Sequence, residues 1–285
     1  MRSPIDLSEC KDLSRLAELV AAIGSAWPDA EPLLVGATAR DILLSYAHDI
    51  AIQRATFDVD FAVAVESWNE FAHLRQSLLD SGEFTQIPGI GHRLVFRRDS
   101  KLDLVPFGGL ERADRTIAWP PRQDEVMHML GYREALRGAV EVLLPNGVRV
   151  EAVSLPGLAV LKLFAWRDRR VRSQGKDAAD LWTIVTNYLR AGNEDRLYAE
   201  FSHLAEQSNY DYSRAGAWML GHDMRVLLHS ESDDSSVSAT LDLLAPELDP
   251  DGALLLVRDM RGSQAQEAFD LLAALEADLK DLRAP

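Results

Sequence analysis

Apolar positions along the first half of the chain recur at two spacings. In "LSECKDLSRLAELVAAIGSAW", Leu13, Leu16, Leu19 and Val20 fall at helical intervals, which predicts an amphipathic helix ending near Gly24. "LLV" at Leu33–Val35 predicts a short apolar strand, followed by Gly36 and a helix from about Thr38 to Ala47. In "TFDVDFAV", Phe57, Val59, Phe61 and Val63 alternate with Thr56, Asp58 and Asp60, the period of a strand. Residues i and i+2 of a strand share a face, so Asp58 and Asp60 project side by side while the apolar set packs on the other face. Ser67 with Glu70 three residues later has the form of a capping box, opening a helix that stops at Gly82. "HRLVFRR" and "KLDLVPFGG" predict two antiparallel strands joined by "RDSK". "VEVLLPNGVRVEAV" predicts a hairpin around Pro145, Asn146 and Gly147.

Beyond Pro156 the pattern turns helical. "LPGLAVLKLFAWRDRR", "KDAADLWTIVTNYLRAG", "DRLYAEFSHLAEQ", "GAWMLGHDMRVLL" and "SQAQEAFDLLAALEADLK" all carry helical periodicity. Strands in the first half and helices in the second predict an α+β domain over 1–153 and a helical domain over 154–285, with the boundary near "SLPG".

Composition narrows the class. A hydrophobic content of 47% and a charged content of 26% over 285 residues are those of a globular protein with room for sizeable cores. No apolar run approaches the roughly 20 residues that span a bilayer, so no membrane association is expected. "MRSPIDLSECKDL" lacks the apolar core of an export signal, and the expected compartment is the cytoplasm. Cys10 is the only cysteine, which excludes an internal disulfide and a cysteine-based zinc site. The histidines form no HExxH pair, and "GATARD" lacks the GK[ST] ending of a P-loop. The formal charge of −15 argues against nonspecific binding to nucleic acid. It is unevenly spread: from Glu231 onward thirteen acidic residues face four basic ones, whereas "RDRRVRSQGK" (Arg167 to Lys176) is locally basic. A polyanionic substrate at one face therefore stays open.

Candidate chemistry centres on the paired carboxylates. Two like charges so close repel, and burying either one unpaired is costly, so a cation is expected between them. Asp103, between Leu102 and Leu104, sits on what should be a neighbouring strand; in the right register three carboxylates would converge. Such a hard, oxygen-rich site suits Mg²⁺ or Mn²⁺, and two such ions about 4 Å apart can hold a nucleoside triphosphate and activate an attacking hydroxyl. Taken alone, the two aspartates read equally well as solvated strand residues. The turn at Gly36 suits phosphate because glycine lets the backbone approach closely and Thr38 adds a hydroxyl, although an ordinary strand-to-helix turn has the same form. Arg54 and Thr56 precede the carboxylate strand and can touch phosphate or fix register. Arg40 and Asp41 read as a charge pair, and His92 and Arg93 as structural residues near Asp103. Trp119-Pro120-Pro121 reads first as core packing and second as a wall for a base.

Taken together, Gly36-Ala37-Thr38, the helix after it, "RATFDVDFAV" and "LDLVPFG" resemble the DNA polymerase-β type nucleotidyltransferase superfamily. The chain is more closely similar to the AbiEii-like bacterial nucleotidyltransferases, whose members include toxins of toxin–antitoxin systems. "LPGLAVLKLFAWRDRR" and "KDAADL" extend the likeness, which runs from about Leu33 to about Leu189. The resemblance implies a polymerase-β-like domain with a mixed sheet, a helical C-terminal domain, and metal-dependent transfer of a nucleotide from an NTP to an acceptor hydroxyl. It implies Asp58 and Asp60 as metal-binding carboxylates and Asp103 as the third, acting on the acceptor hydroxyl. Lys162 is implied at the triphosphate, Asp180 as a functional acid, and Gly36, Ala37 and Thr38, with Arg54 and Lys162, as nucleotide-binding. It further implies RNA, tRNA first, as acceptor and an antitoxin protein as partner. A small molecule or a protein hydroxyl is the alternative acceptor. Ala37 departs from the usual serine of the phosphate turn, which keeps a catalytically weak, nucleotide-binding relative in view.

The second half bears on these assignments residue by residue. Lys162 interrupts an apolar helix between Leu161 and Leu163, which calls for a buried partner or a snorkelling side chain. Arg167, Arg169, Arg170 and Arg172 either clamp phosphates or form a solvated helix end. Asp177 and Asp180 share a helix face; Asp177 reads as first-turn decoration, and Asp180 lies beside the apolar stripe of Leu181, Ile184 and Tyr188.

Overall fold

A computed structural model describes residues 4–52, 58–229, 235–261 and 264–280. The chain forms two compact units, one of residues 1–42 and 53–154, the other of residues 43–52 and 155–285.

In the first unit the edge strand β1 (Ile5–Asp6) leads into helix α1 (Ser14–Ala26). Strand β2 (Leu33–Val35) is apolar and wholly buried, and at Gly36 the chain turns into helix α2 (Gly36–Asp41). Strand β3 (Asp58–Val65) carries the carboxylates; Phe57, Thr56 and Arg54 lie outside the described residues. Helix α3 (Trp68–Asp80) begins where Ser67 Oγ accepts the Glu70 N–H at 3.2 Å. Glu70 reaches back to the Glu66 N–H rather than to Ser67, a capping box one residue wide of the usual form. Strands β4 (Phe84–Gln86), β5 (Arg93–Phe96) and β6 (Ser100–Gly108) follow, then the hairpin of β7 (Thr116–Ala118) and β8 (Val126–His128), short helix α4 (Tyr132–Arg137), and strands β9 (Val140–Leu143) and β10 (Arg149–Ala152).

Eight of these strands form one sheet in the order β1-β9-β10-β2-β3-β6-β5-β4, and β7 pairs with β8 alone. The sheet is mixed: β1/β9, β10/β2 and β3/β6 are parallel, and the other neighbours antiparallel. Its centre is buried, with Leu33, Leu34, Phe61, Ala62, Leu102 and Leu104 inaccessible to water. Trp27 at the end of α1 donates its indole N–H to the Leu74 carbonyl at 2.7 Å, fastening α1 to α3. The β9–β10 hairpin turns where Asn146 (φ +62°) and Gly147 (φ +73°) take left-handed conformations.

The second unit is helical: α5 (Leu155–Ser173), α6 (Lys176–Asn187), α7 (Glu194–Ala199), α8 (Ser202–Ala205), α9 (Tyr212–Leu228), α10 (Ser235–Leu244), α11 (Leu255–Arg261) and α12 (Ala265–Leu279). Helix α9 lies against α12 so closely that a Cβ on Gly221 would sit 2.0 Å from the Leu275 carbonyl oxygen. The segment Leu43–Ile52, which follows α2 in sequence, belongs to this unit. Its Leu43, Leu44 and Ile50 are buried, and its His48 ring lies 2.8 Å from where Gly192 would carry a Cβ. A single linear boundary does not describe such threading.

Candidate active site

The sheet register builds the site. Val35 pairs with Asp60 across β2 and β3, Asp60 with Asp103 across β3 and β6, and Asp103 with Arg93 across β6 and β5. Directly paired residues face the same way, so Asp60, Asp103 and Arg93 form a row on one face of the sheet. Asp58 and its partner Lys101 lie on the same face, two residues back. The strand spacing expected of Asp58 and Asp60, and the neighbouring position expected of Asp103, are thus what the sheet provides.

Gly36 lies against this row. Its φ of +72° is left-handed, and a Cβ there would fall 2.1 Å from Asp60 Oδ2 and 2.8 Å from Asp60 Cγ. Only a glycine lets the turn close over the carboxylate. Ala37 follows, buried. Thr38 differs from the sequence expectation: its hydroxyl donates to the Asp58 carbonyl oxygen at 3.1 Å, tying the turn to the carboxylate strand. Arg40 and Asp41 pair with each other, Nε to Oδ1 at 2.8 Å. The His92 ring lies tilted against Trp119, ring centroids 5.1 Å apart, and Trp119 also meets Trp68 and Phe71, an aromatic core rather than an open wall.

The cation expected among the carboxylates is a residue of the chain. Arg93 grips Asp103 side-on, Nε to Oδ1 at 2.6 Å and Nη2 to Oδ2 at 2.5 Å, and its Nη2 stands 3.6 Å from Asp58 Oδ2. Lys101 Nζ lies 3.6 Å from Asp58 Oδ1. The Asp103 hydrogen bonds first, then the charges of Asp103, Asp58 and Asp60, hold the Arg93 guanidinium charged more firmly than usual against partial burial. Among the described residues no three carboxylate, imidazole or thiol groups stand together as a ready metal cage. Asp103 lies beside Asp60, but its oxygens face the guanidinium. From sequence Arg93 reads as structural, since nothing in "HRLVFRR" tells which carboxylate its register will bring opposite.

The helical unit holds a second charged cluster. Lys162, on α5, is 5% exposed, and its Nζ lies 2.6 Å from Asp180 Oδ2 and 3.1 Å from Asp177 Oδ1, both on α6. It is therefore a buried, paired lysine and not a snorkelling one. Asp177 is no surface decoration: it is buried and also receives Arg169 Nε at 2.8 Å and Nη2 at 2.9 Å. Burial pushes its carboxyl up, but the Arg169 hydrogen bonds and the charges of Lys162 and Arg169 outweigh that and hold it down at about 2. Arg170 binds Asp259, and Arg167 lies over the Phe164 ring, so the basic stretch is largely engaged within its own unit.

A glycine turn closed over a paired-carboxylate strand in a mixed sheet, followed by a helical unit with a buried lysine, marks the chain as a nucleotidyltransferase. Residues 28–274 match the family described as nucleotidyl transferase AbiEii toxin, type IV toxin–antitoxin system. The chain belongs to that family. Enzymes of this kind generally use divalent metal ions. Curated proteins give no match. Among solved structures the chain is similar to the antibiotic-resistance factor ANT(2'')-Ia, at 14% identity over 68% of this chain and 99% of that one, with a TM-score of 0.37. No helix among the described residues is long and apolar enough to cross a membrane.

Proposed function

We propose that the protein transfers a nucleoside monophosphate from an NTP to a hydroxyl of RNA, with tRNA as the acceptor, in a Mg²⁺-dependent reaction (Mn²⁺ serving in its place), and that a partner antitoxin counters the resulting toxicity. The observation that carries this reading is the closure of Gly36 over Asp60, which joins the phosphate turn to the carboxylate strand. Family membership supports it.

Asp58 and Asp60 would hold the divalent ion. Their donors are hard carboxylate oxygens, and the missing side chain at Gly36 leaves Asp60 its space. When bound, such an ion polarises a phosphoryl oxygen and offsets phosphate charge. The acceptor oxygen forms a bond to the α-phosphorus, the bond from that phosphorus to the β-phosphate bridge breaks, and pyrophosphate leaves while the hydroxyl proton is lost to water. Positioning of the acceptor oxygen and stabilisation of the charge on the departing pyrophosphate carry most of such a transfer. Within the helical unit, Asp180 holds the Lys162 ammonium at 2.6 Å.

The test offers total RNA and total protein separately to the purified chain with Mg²⁺ and each NTP labelled at the α-phosphate, Asp60→Asn serving as control. Label entering tRNA-sized RNA with the wild type alone is the expected result. Label on protein, or nowhere, overturns the assignment to RNA.

A further inference from the structure

A two-ion site needs a third carboxylate with oxygens turned to the metals, and this chain has committed that carboxylate elsewhere. Asp103 presents both oxygens to Arg93 in a fork-to-fork pair at 2.6 and 2.5 Å. The pairing is set by the backbone, because Arg93 and Asp103 are direct partners across β5 and β6. A bidentate guanidinium takes one in-plane lone pair of each oxygen and sets a fixed positive charge against both, which disfavours a metal cation there.

The rest of the guanidinium faces the other two carboxylates. Nη2 lies 3.6 Å from Asp58, and among the described residues Nη1 meets no protein acceptor. Arg93 keeps about a quarter of its side chain exposed. A fixed cation with two unused donors beside a metal-binding pair has the chemistry of a phosphate ligand, a planar fork held in place before the anion arrives.

We propose that Arg93 is a phosphate-binding residue of this enzyme, held by Asp103, and that it supplies the charge a second metal ion would otherwise carry, so the site takes one divalent ion per bound nucleotide. Asp103 is then a positioning residue. Neither metal coordination nor proton transfer falls to it. The inference rests on the nucleotidyltransferase reading of Asp58 and Asp60. It goes beyond that reading by fixing the metal count and by giving the nucleotide a ligand on β5.

Native mass spectrometry of the full chain with Mn²⁺ and a non-hydrolysable NTP analogue counts ions per nucleotide-bound protein. Calorimetry on the same samples gives the nucleotide affinity. The wild type is expected to carry one Mn²⁺ per nucleotide. Arg93→Met, which releases the Asp103 carboxylate, is expected to carry a second ion and to bind the analogue about tenfold or more weakly. Asp103→Asn is expected to keep a single ion and to lose affinity in the same direction, since the arginine is no longer held. Two ions in the wild type, or loss of the ion in Asp103→Asn, overturns the proposal and leaves the transferase reading intact. No ion in the wild type, with Asp60→Asn equally empty, overturns both.

Discussion

Gly36 is the residue whose replacement separates shape from charge most cleanly. Alanine adds one methyl group, yet that methyl would sit 2.1 Å from Asp60 Oδ2, and φ of +72° is strained for any side chain. Gly36→Ala is expected to cost about 1–3 kcal/mol in urea unfolding and to weaken Mn²⁺ binding, because Asp60 must move away. Asp177 gives a prediction in pH. Its folded pKa of about 2 lies below the ordinary 3.8, so its contribution to stability is fully present above about pH 4 and is lost as pH falls toward 2. Asp177→Asn should therefore be less stable than the wild type by on the order of 2 kcal/mol near neutrality. Urea midpoints of the two proteins should converge below pH 4, and a gap that persists unchanged at pH 3 would refute the assignment.

The helices offer a test of packing that leaves the carboxylate sheet untouched. Gly221 lets α9 approach the backbone of α12, and a Cβ there would meet the Leu275 carbonyl at 2.0 Å. Gly221→Ala is expected to destabilise the helical unit by about 1–3 kcal/mol, read as a lower thermal midpoint, although alanine is the better helix former. Elements of this kind were readable from sequence where periodicity ran long. The alternation around Asp58 and Asp60, the Ser67 cap and the turn at Asn146-Gly147 each carry a local signal that the fold obeys. Strands β1, β7 and β8 are two or three residues long, too short for any period to show. The Arg93–Asp103 and Lys162–Asp177 pairs were hidden for a different reason. Each depends on register or helix docking between segments 10 and 15 residues apart, and a hydrophobic pattern says which face is buried but not which charge meets which.

Charge over the entire chain limits how an RNA acceptor can be held. The formal charge is −15, and two arginines of the basic stretch are drawn into internal pairs, Arg169 with Asp177 and Arg170 with Asp259. A net-acidic chain is expected to replace few counterions on RNA, on the order of two or three phosphates. Labelling under subsaturating RNA is then expected to fall only about tenfold between 50 and 200 mM salt, against the far steeper loss of a strongly basic binder. A thousandfold fall would refute this and require a cationic RNA-binding surface.

The chain leaves the sheet unit at Ile42, contributes Leu43–Ile52 to the helical unit, and returns before the carboxylate strand. Neither half is thus encoded by an uninterrupted stretch of gene. A crossover near codon 154 that exchanged the helical half with a relative's would leave behind ten residues shaped for the departed partner, Leu44 and Ile50 among them. Such an exchange is expected to cost the recombinant stability, because the retained segment has lost the partner that buries it.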